Sequence, residues 1–70
     1  MYQSYYVSIG EDGGITIVGL IRDNVVREAM AACRDYPDQP VYVMTWINGE
    51  KRYLNPSGDL SPKRENWNDK

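Results

Sequence analysis

Hydrophobic and polar residues alternate through the first part of the chain, and the pattern predicts a β-hairpin. Residues 2–9 alternate with a period of two, which is typical of a strand. Residues 10–14 contain three glycines and are typical of a turn. Residues 15–21 are rich in β-branched side chains and predict the returning strand. Gly19 within it predicts a bulge or the close approach of another element.

A helix is predicted next, beginning at Asp23 or Asn24 and running to about Tyr36. Either of the first two residues is a good N-cap, and Pro37 ends the helix because the residue before a proline disfavours the α conformation. The buried stripe is predicted at helical spacing and comprises Val26, Ala29, Met30 and Cys33, widened by Val25, Ala32 and Tyr36.

The second half of the chain predicts another hairpin. Residues 41–47 give the strongest strand pattern, and Asn48-Gly49 after them is the pair most typical of a two-residue type I′ turn. Residues 50–54 form the returning strand, and Asp59-Leu60 is a candidate fifth strand.

This order, β-β-α-β-β, predicts an α+β fold in which one helix packs on one face of an antiparallel sheet of four strands, or five. Residues 1–60 are predicted to form a single domain. Residues 61–70 are predicted to be a polar tail, loosely held, with Trp67 as its anchor.

Composition narrows the classes of partner and the cellular location. The net charge is −2 and the charges are scattered, which argues against a nucleic-acid binder because such proteins carry basic stripes. A single cysteine, no visible signal peptide and no apolar run of membrane-spanning length predict a cytoplasmic protein that does not bind membranes.

The candidate chemistry is sparse. The chain has no histidine, the commonest general base and metal ligand, and Cys33 falls on the predicted apolar stripe of the helix. The acidic residues lack the pattern of a calcium loop, and a 70-residue sheet with one helix leaves little room for the cleft that a catalytic carboxylate pair needs. We therefore predict no enzyme activity, no catalytic or metal-binding residues and no cofactor.

The second hairpin predicts an aromatic face on the sheet. The two-residue turn sets Ile47 opposite Glu50, and so places Trp46 beside Lys51 and Met44 beside Tyr53. The aliphatic side suits the helix. The opposite side carries Tyr42, Met44, Trp46 and Tyr53 with Lys51 over the Trp46 ring, and the first strand adds Tyr2 and Tyr6.

Aromatic residues and Met are enriched at interfaces, so the face predicts a partner-binding surface. Its predicted residues are Tyr6, Tyr42, Met44, Trp46, Lys51 and Tyr53, and Arg52 is predicted to bind from the adjacent charged edge that it forms with Glu50 and Lys51. The alternative is that these rings are cross-strand pairs that stabilise the sheet, with Trp67 folding over them. A homodimer joined through the same face would also cover it.

The plan resembles the small proteins that bacteriophages and other mobile elements encode to block host defence, including anti-CRISPR inhibitors. The elements that carry the resemblance are the helix Arg27 to Asp35, the strand Val41 to Ile47 and the Asn48-Gly49 hairpin. The resemblance implies an inhibitor that occupies a surface on a larger protein without catalysing a reaction. It assigns no role to individual residues.

The sequence therefore supports three functional hypotheses. The first is a protein-binding inhibitor that docks its aromatic face, or the adjacent charged edge of Glu50, Lys51 and Arg52, on a larger protein. The second is a homodimeric structural protein whose aromatic face is the dimer seam. The third is a single-stranded nucleic-acid binder that stacks bases on the aromatic rings, against which the acidic balance weighs.

Overall fold

The computed structural model describes residues 4–68 and contains the predicted elements in the predicted order. The start of the first predicted strand and the predicted contribution of Tyr2 to the aromatic face lie outside these residues. The elements are β1 (Tyr5–Ile9), β2 (Ile15–Gly19), α1 (Arg22–Asp35), β3 (Val41–Ile47), β4 (Glu50–Leu54) and β5 (Leu60–Ser61). The α+β prediction and the candidate fifth strand are therefore confirmed.

The sheet has the order β2-β1-β3-β4-β5, and every neighbouring pair is antiparallel. Because β2 and β3 both run opposite to β1, which lies between them, they run parallel to each other. Parallel strands need a crossover connection, since a tight turn only joins antiparallel neighbours. Helix α1 is this crossover, and it contacts β1, β2 and β3.

The register of the second hairpin follows from its turn. Trp46 lies opposite Lys51, and the predicted pairing of Ile47 with Glu50 is likewise confirmed. Asn48 and Gly49 both have positive φ, 51° and 80°, as a type I′ turn requires. A two-residue turn fixes the pairing, so it also fixes which side chains of β3 and β4 share a face.

The core lies between α1 and one face of the sheet. Its buried side chains come from β1, the helix, β3 and the end of β4, and they are Tyr5, Val7, Ile9, Val25, Ala29, Ala32, Val41, Val43 and Leu54. The predicted helical stripe is displaced. Val25, Ala29 and Ala32 are its centre, while Met30 is 62% exposed and Tyr36 is also exposed. The stripe therefore follows i, i+4, i+7 from Val25, one position earlier than predicted.

The predicted N-cap, Asp23 or Asn24, was also wrong by two or three residues. Ile21 is the N-cap in an extended conformation and makes no side-chain capping hydrogen bond. Asp23 instead lies in the first turn, where its negative charge interacts favourably with the helix dipole. Within residues 4–68 no helix is long and apolar enough to cross a membrane.

Residues after β5 complete the backbone hydrogen bonding of β3. Strand β4 ends at Leu54, so Val41 at the start of β3 has no β4 residue opposite it. The Val41 N–H donates to Asn66 Oδ1, and the Val41 carbonyl accepts from the Trp67 N–H. Trp67 Nε1 donates to the Leu54 carbonyl while its ring packs on the core. The prediction that residues 61–70 are loosely held stays a prediction.

Gly19 marks the closest approach of the helix to the sheet. A Cβ atom at this position would lie 2.6 Å from Cγ2 of Val25, a distance that side chains do not tolerate. Because Val25 is a buried core residue, it has little room to move away. The glycine therefore allows α1 to pack on β2, and the predicted close approach is confirmed.

We expect Gly19→Ala to lower the free energy of unfolding by about 1–3 kcal/mol, because the added methyl overpacks the core against Val25. Urea denaturation measures the change. Gly14→Ala is the matched control, since a Cβ there meets nothing within 4 Å. Combining Gly19→Ala with Val25→Ala removes the clash. The double variant should therefore lose less stability than the sum of the losses of the two single variants. Strictly additive losses would contradict the packing argument.

Candidate functional site

The face of the sheet that α1 leaves uncovered, here called the open face, carries a continuous row of side chains. Strand pairing aligns one residue from each of the five strands across it: Val18, Tyr6, Met44, Tyr53 and Ser61. Directly paired residues lie on the same side of a sheet, and side chains alternate along each strand. The row is therefore fixed by the backbone register and lies opposite the core.

Trp46 is the most prominent ring on the open face, with 45% of its surface exposed. Its ring meets that of Tyr6 edge to face, with centroids 5.2 Å apart. Lys51 Nζ lies 5.9 Å from the centroid of the Trp46 ring and 5.4 Å from that of Tyr53. The predicted cover of Trp46 by Lys51 is therefore confirmed, and the cation sits between two rings.

These side chains line a groove of about 350 Å³ on the open face. Its lining comes from β1, the β1–β2 loop, β2, β3, β4 and the tail: Tyr6, Ser8, Glu11, Asp12, Gly13, Thr16, Tyr42, Met44, Trp46, Lys51, Tyr53 and Arg64. The aromatic and apolar part lies towards Trp46. The polar part lies towards the β1–β2 loop, so the groove has two chemically different ends.

Tyr42 differs from its neighbours because the tail covers it. The guanidinium of Arg64 lies 4.4 Å from the centroid of the Tyr42 ring, and Tyr42 is only 8% exposed. Arg64 also forms an ion pair with Glu11, 3.5 Å from Nη2 to Oε2. Tyr42 was predicted as an exposed anchor, but the structure places it as the floor beneath Arg64. The alternative prediction that Trp67 covers the rings was wrong, since Trp67 packs on the core.

Asn55 holds the segment that carries Arg64. Its side chain is buried, donates from Nδ2 to the Lys63 carbonyl and accepts the Glu65 N–H at Oδ1. The two bonds flank Arg64 on either side in the sequence. A single amide therefore sets where the tail crosses onto the open face.

Arg52 lies apart from the other predicted site residues. It pairs with Thr45, whose side chain is fully buried on the core side of β3, so Arg52 extends from the face opposite Trp46. There its guanidinium forms an ion pair with Glu50. The structure thus brings together Tyr6, Tyr42, Met44, Trp46, Lys51 and Tyr53.

Several groove residues were missed from the sequence. Ser8 and Thr16 face each other on β1 and β2, and strand alternation alone would have placed them beside the row. Glu11 and Asp12 come from the turn, and Arg64 from the tail. No periodic pattern reports where such segments lie.

The remaining chemistry of the described residues is limited. Cys33 is half-buried against the core on α1, and burial raises the pKa of its thiol above the usual value. The thiolate is the nucleophilic form of cysteine, so the raised pKa lowers its reactivity at neutral pH. Among residues 4–68 no cluster of three or more acidic, cysteine or histidine side chains could hold a metal ion.

Comparison with known proteins assigns no family. No protein-family model, curated protein or solved structure gives a significant match to the chain. The resemblance to phage-encoded inhibitors therefore stays a prediction, and function has to be argued from the side chains of the open face.

We expect Asn55→Ala to lower the free energy of unfolding by about 1–3 kcal/mol, because it deletes two hydrogen bonds to the tail and leaves their backbone partners unpaired. Urea denaturation measures the loss. Ser57→Ala in the same turn is the control and should change stability by no more than about 0.5 kcal/mol. Equal stabilities for the two variants would show that Asn55 does not hold the tail.

We expect Cys33 to react with iodoacetamide more slowly than a free cysteine at pH 8. Because burial raises its pKa, the thiolate fraction and hence the rate should continue to rise at pH values where a free cysteine has already levelled off. Alkylation followed by mass spectrometry over a pH series measures this. The prediction is contradicted if the alkylation rate levels off at the same pH as that of a free cysteine, or at a lower pH.

Proposed function

We propose that this protein is a non-catalytic binding module that docks its open face on a larger protein. The observation that carries the proposal is the exposed ring of Trp46, set between Tyr6 and Lys51 on the side of the sheet that the helix does not cover. Exposed clusters of this kind are uncommon on monomeric proteins unless they bind something.

The anchors of this face are pre-organised. Trp46 is fixed by its edge-to-face contact with Tyr6, and Tyr53 and Met44 are paired across β3 and β4. Side chains that are already ordered lose little conformational entropy on binding, which favours affinity. Trp and Tyr are also the residues in which binding energy most often concentrates, because they combine large contact area with a polar group.

The charge on the face gives the partner a chemical character. Lys51 forms no ion pair with any residue between positions 4 and 68, whereas Arg64 is paired with Glu11. The ammonium group of Lys51 already lies near the rings of Trp46 and Tyr53, and a carboxylate on the partner would form an ion pair with it. We therefore propose a partner surface that combines an apolar patch, for Trp46 and Met44, with an acidic residue beside it.

The proposed mode of action is occlusion. A binder with its contacts on one face blocks whatever site its partner uses there, without chemistry of its own. The resemblance to phage-encoded inhibitors supports this form of the proposal, with a host protein, such as a defence component, as the blocked partner. Cys33 does not line the groove and has a raised thiol pKa, which supports a role without nucleophilic chemistry.

The test is affinity capture from bacterial lysate with variants of the open face and a control variant on the helix. We expect a captured protein to be lost with Trp46→Ala and with Tyr53→Ala, each weakening its binding by about thirtyfold or more, the effect of removing an anchor of about 2 kcal/mol. Met30→Ala on the outer side of α1 is the control and should retain it. Circular dichroism confirms that each variant is folded.

Lys51→Glu tests the acidic partner separately. We expect it to weaken capture of the same protein and to make the remaining binding strengthen as salt is raised, because the introduced carboxylate repels the acidic residue of the partner and salt screens this repulsion. Capture that survives all three substitutions on the open face, in folded variants, would overturn the proposal.

The two rival functions predict different results. A dimer joined through the open face would dissociate on Trp46→Ala, which light scattering detects. A single-stranded nucleic-acid binder would bind a labelled oligonucleotide at low salt and release it as salt rises. Oligonucleotide binding is not expected, because the open face carries Glu11 and Asp12 as well as its cations.

A further inference from the structure

The two edges of the sheet are built differently. At one edge β5 is only two residues long and is followed by a proline, which is how natural proteins blunt an edge against further pairing. At the other edge β2 has five residues, none of them charged and none of them proline. The hydrophobic run continues through Leu20 and Ile21, both exposed. Edge β2 thus has none of the protective features described for isolated edges.

The backbone of β2 presents unpaired hydrogen-bonding groups at this edge. The Gly10 N–H donates to the Pro40 carbonyl, so the even-numbered residues of β1 direct their backbone groups towards β3 and the odd-numbered ones towards β2. Ile17 and Gly19, opposite Val7 and Tyr5, then bond to β1. The N–H and C=O groups of Thr16 and Val18 point outwards.

We propose that β2 pairs antiparallel with β2 of a second copy of this chain. Antiparallel pairing of a strand with itself is symmetric, and a two-fold axis at Ile17 sets the outward groups of Thr16 opposite those of Val18 in the other copy. The strand contains no charge, so self-pairing brings no like charges together. This inference does not depend on the proposed function.

The first test is the oligomeric state. Light scattering should give the wild-type protein twice its monomer mass of 8.1 kDa at high micromolar concentration. Val18→Lys should raise the dissociation constant at least about tenfold, because charge on an edge strand opposes pairing. Val18 is 60% exposed, so the substitution leaves the core intact. Met30→Lys is the matched control at 62% exposure and should remain dimeric.

The second test is amide hydrogen exchange, which reads the backbone directly. In a dimer the Thr16 and Val18 amides should be protected as well as those of Ile17 and Gly19. In Val18→Lys, and on dilution of the wild type, protection at positions 16 and 18 should be lost while that at 17 and 19 remains. This alternation identifies the edge of β2 as the seam and does not require the variant to bind anything.

A wild-type monomer at high micromolar concentration would overturn the proposal, as would a species larger than a dimer, because β5 is blunted. A dimer with exchanging Thr16 and Val18 amides that dissociates on Trp46→Ala would place the seam on the open face instead.

Discussion

A β-strand directs its side chains alternately to two faces, and a single crossover helix covers only one of them. This constraint determines the rest of the structure. The helix has to run from β2 to β3 over the strand between them, so its small residues Ala29 and Ala32 and the glycine at position 19 set the layer spacing. Most aliphatic residues of the strands lie on that side, and Val18 is an exception. Everything of opposite parity remains on the open face.

The residues after β5 cover part of the surface that the helix leaves exposed. The tail completes the hydrogen bonding of Val41, packs Trp67 on the core and then, through Asn55, holds Arg64 over Tyr42 on the other face. Short chains bury a smaller fraction of their surface than long ones, so each buried ring matters to their stability. The tail covers one ring of the open face and leaves the Trp46 end uncovered.

The sequence was most informative where a period or a turn type is specific. Asn48-Gly49 fixed the register of β3 and β4, and with it the faces of Trp46 and Lys51. It was less informative about the helix. Val25 and Val26 are both apolar, and the spacing of either one fits a stripe, so only the approach of α1 to Gly19 distinguishes them. Arg64 joins the groove through the amide of Asn55, whose contacts to Lys63 and Glu65 no strand or helix periodicity encodes.

The two uncovered regions of the sheet meet at Val18. Its backbone groups belong to the β2 edge, and its side chain begins the row that crosses the open face to Ser61. A two-fold axis perpendicular to the sheet keeps both helices on one side, so antiparallel pairing at β2 would join two open faces into one continuous surface. Two Trp46 anchors on one rigid sheet would then engage a partner at two points. Paired sites of this kind convert the second contact into an intramolecular one, so moderate anchors on a small domain could still bind tightly.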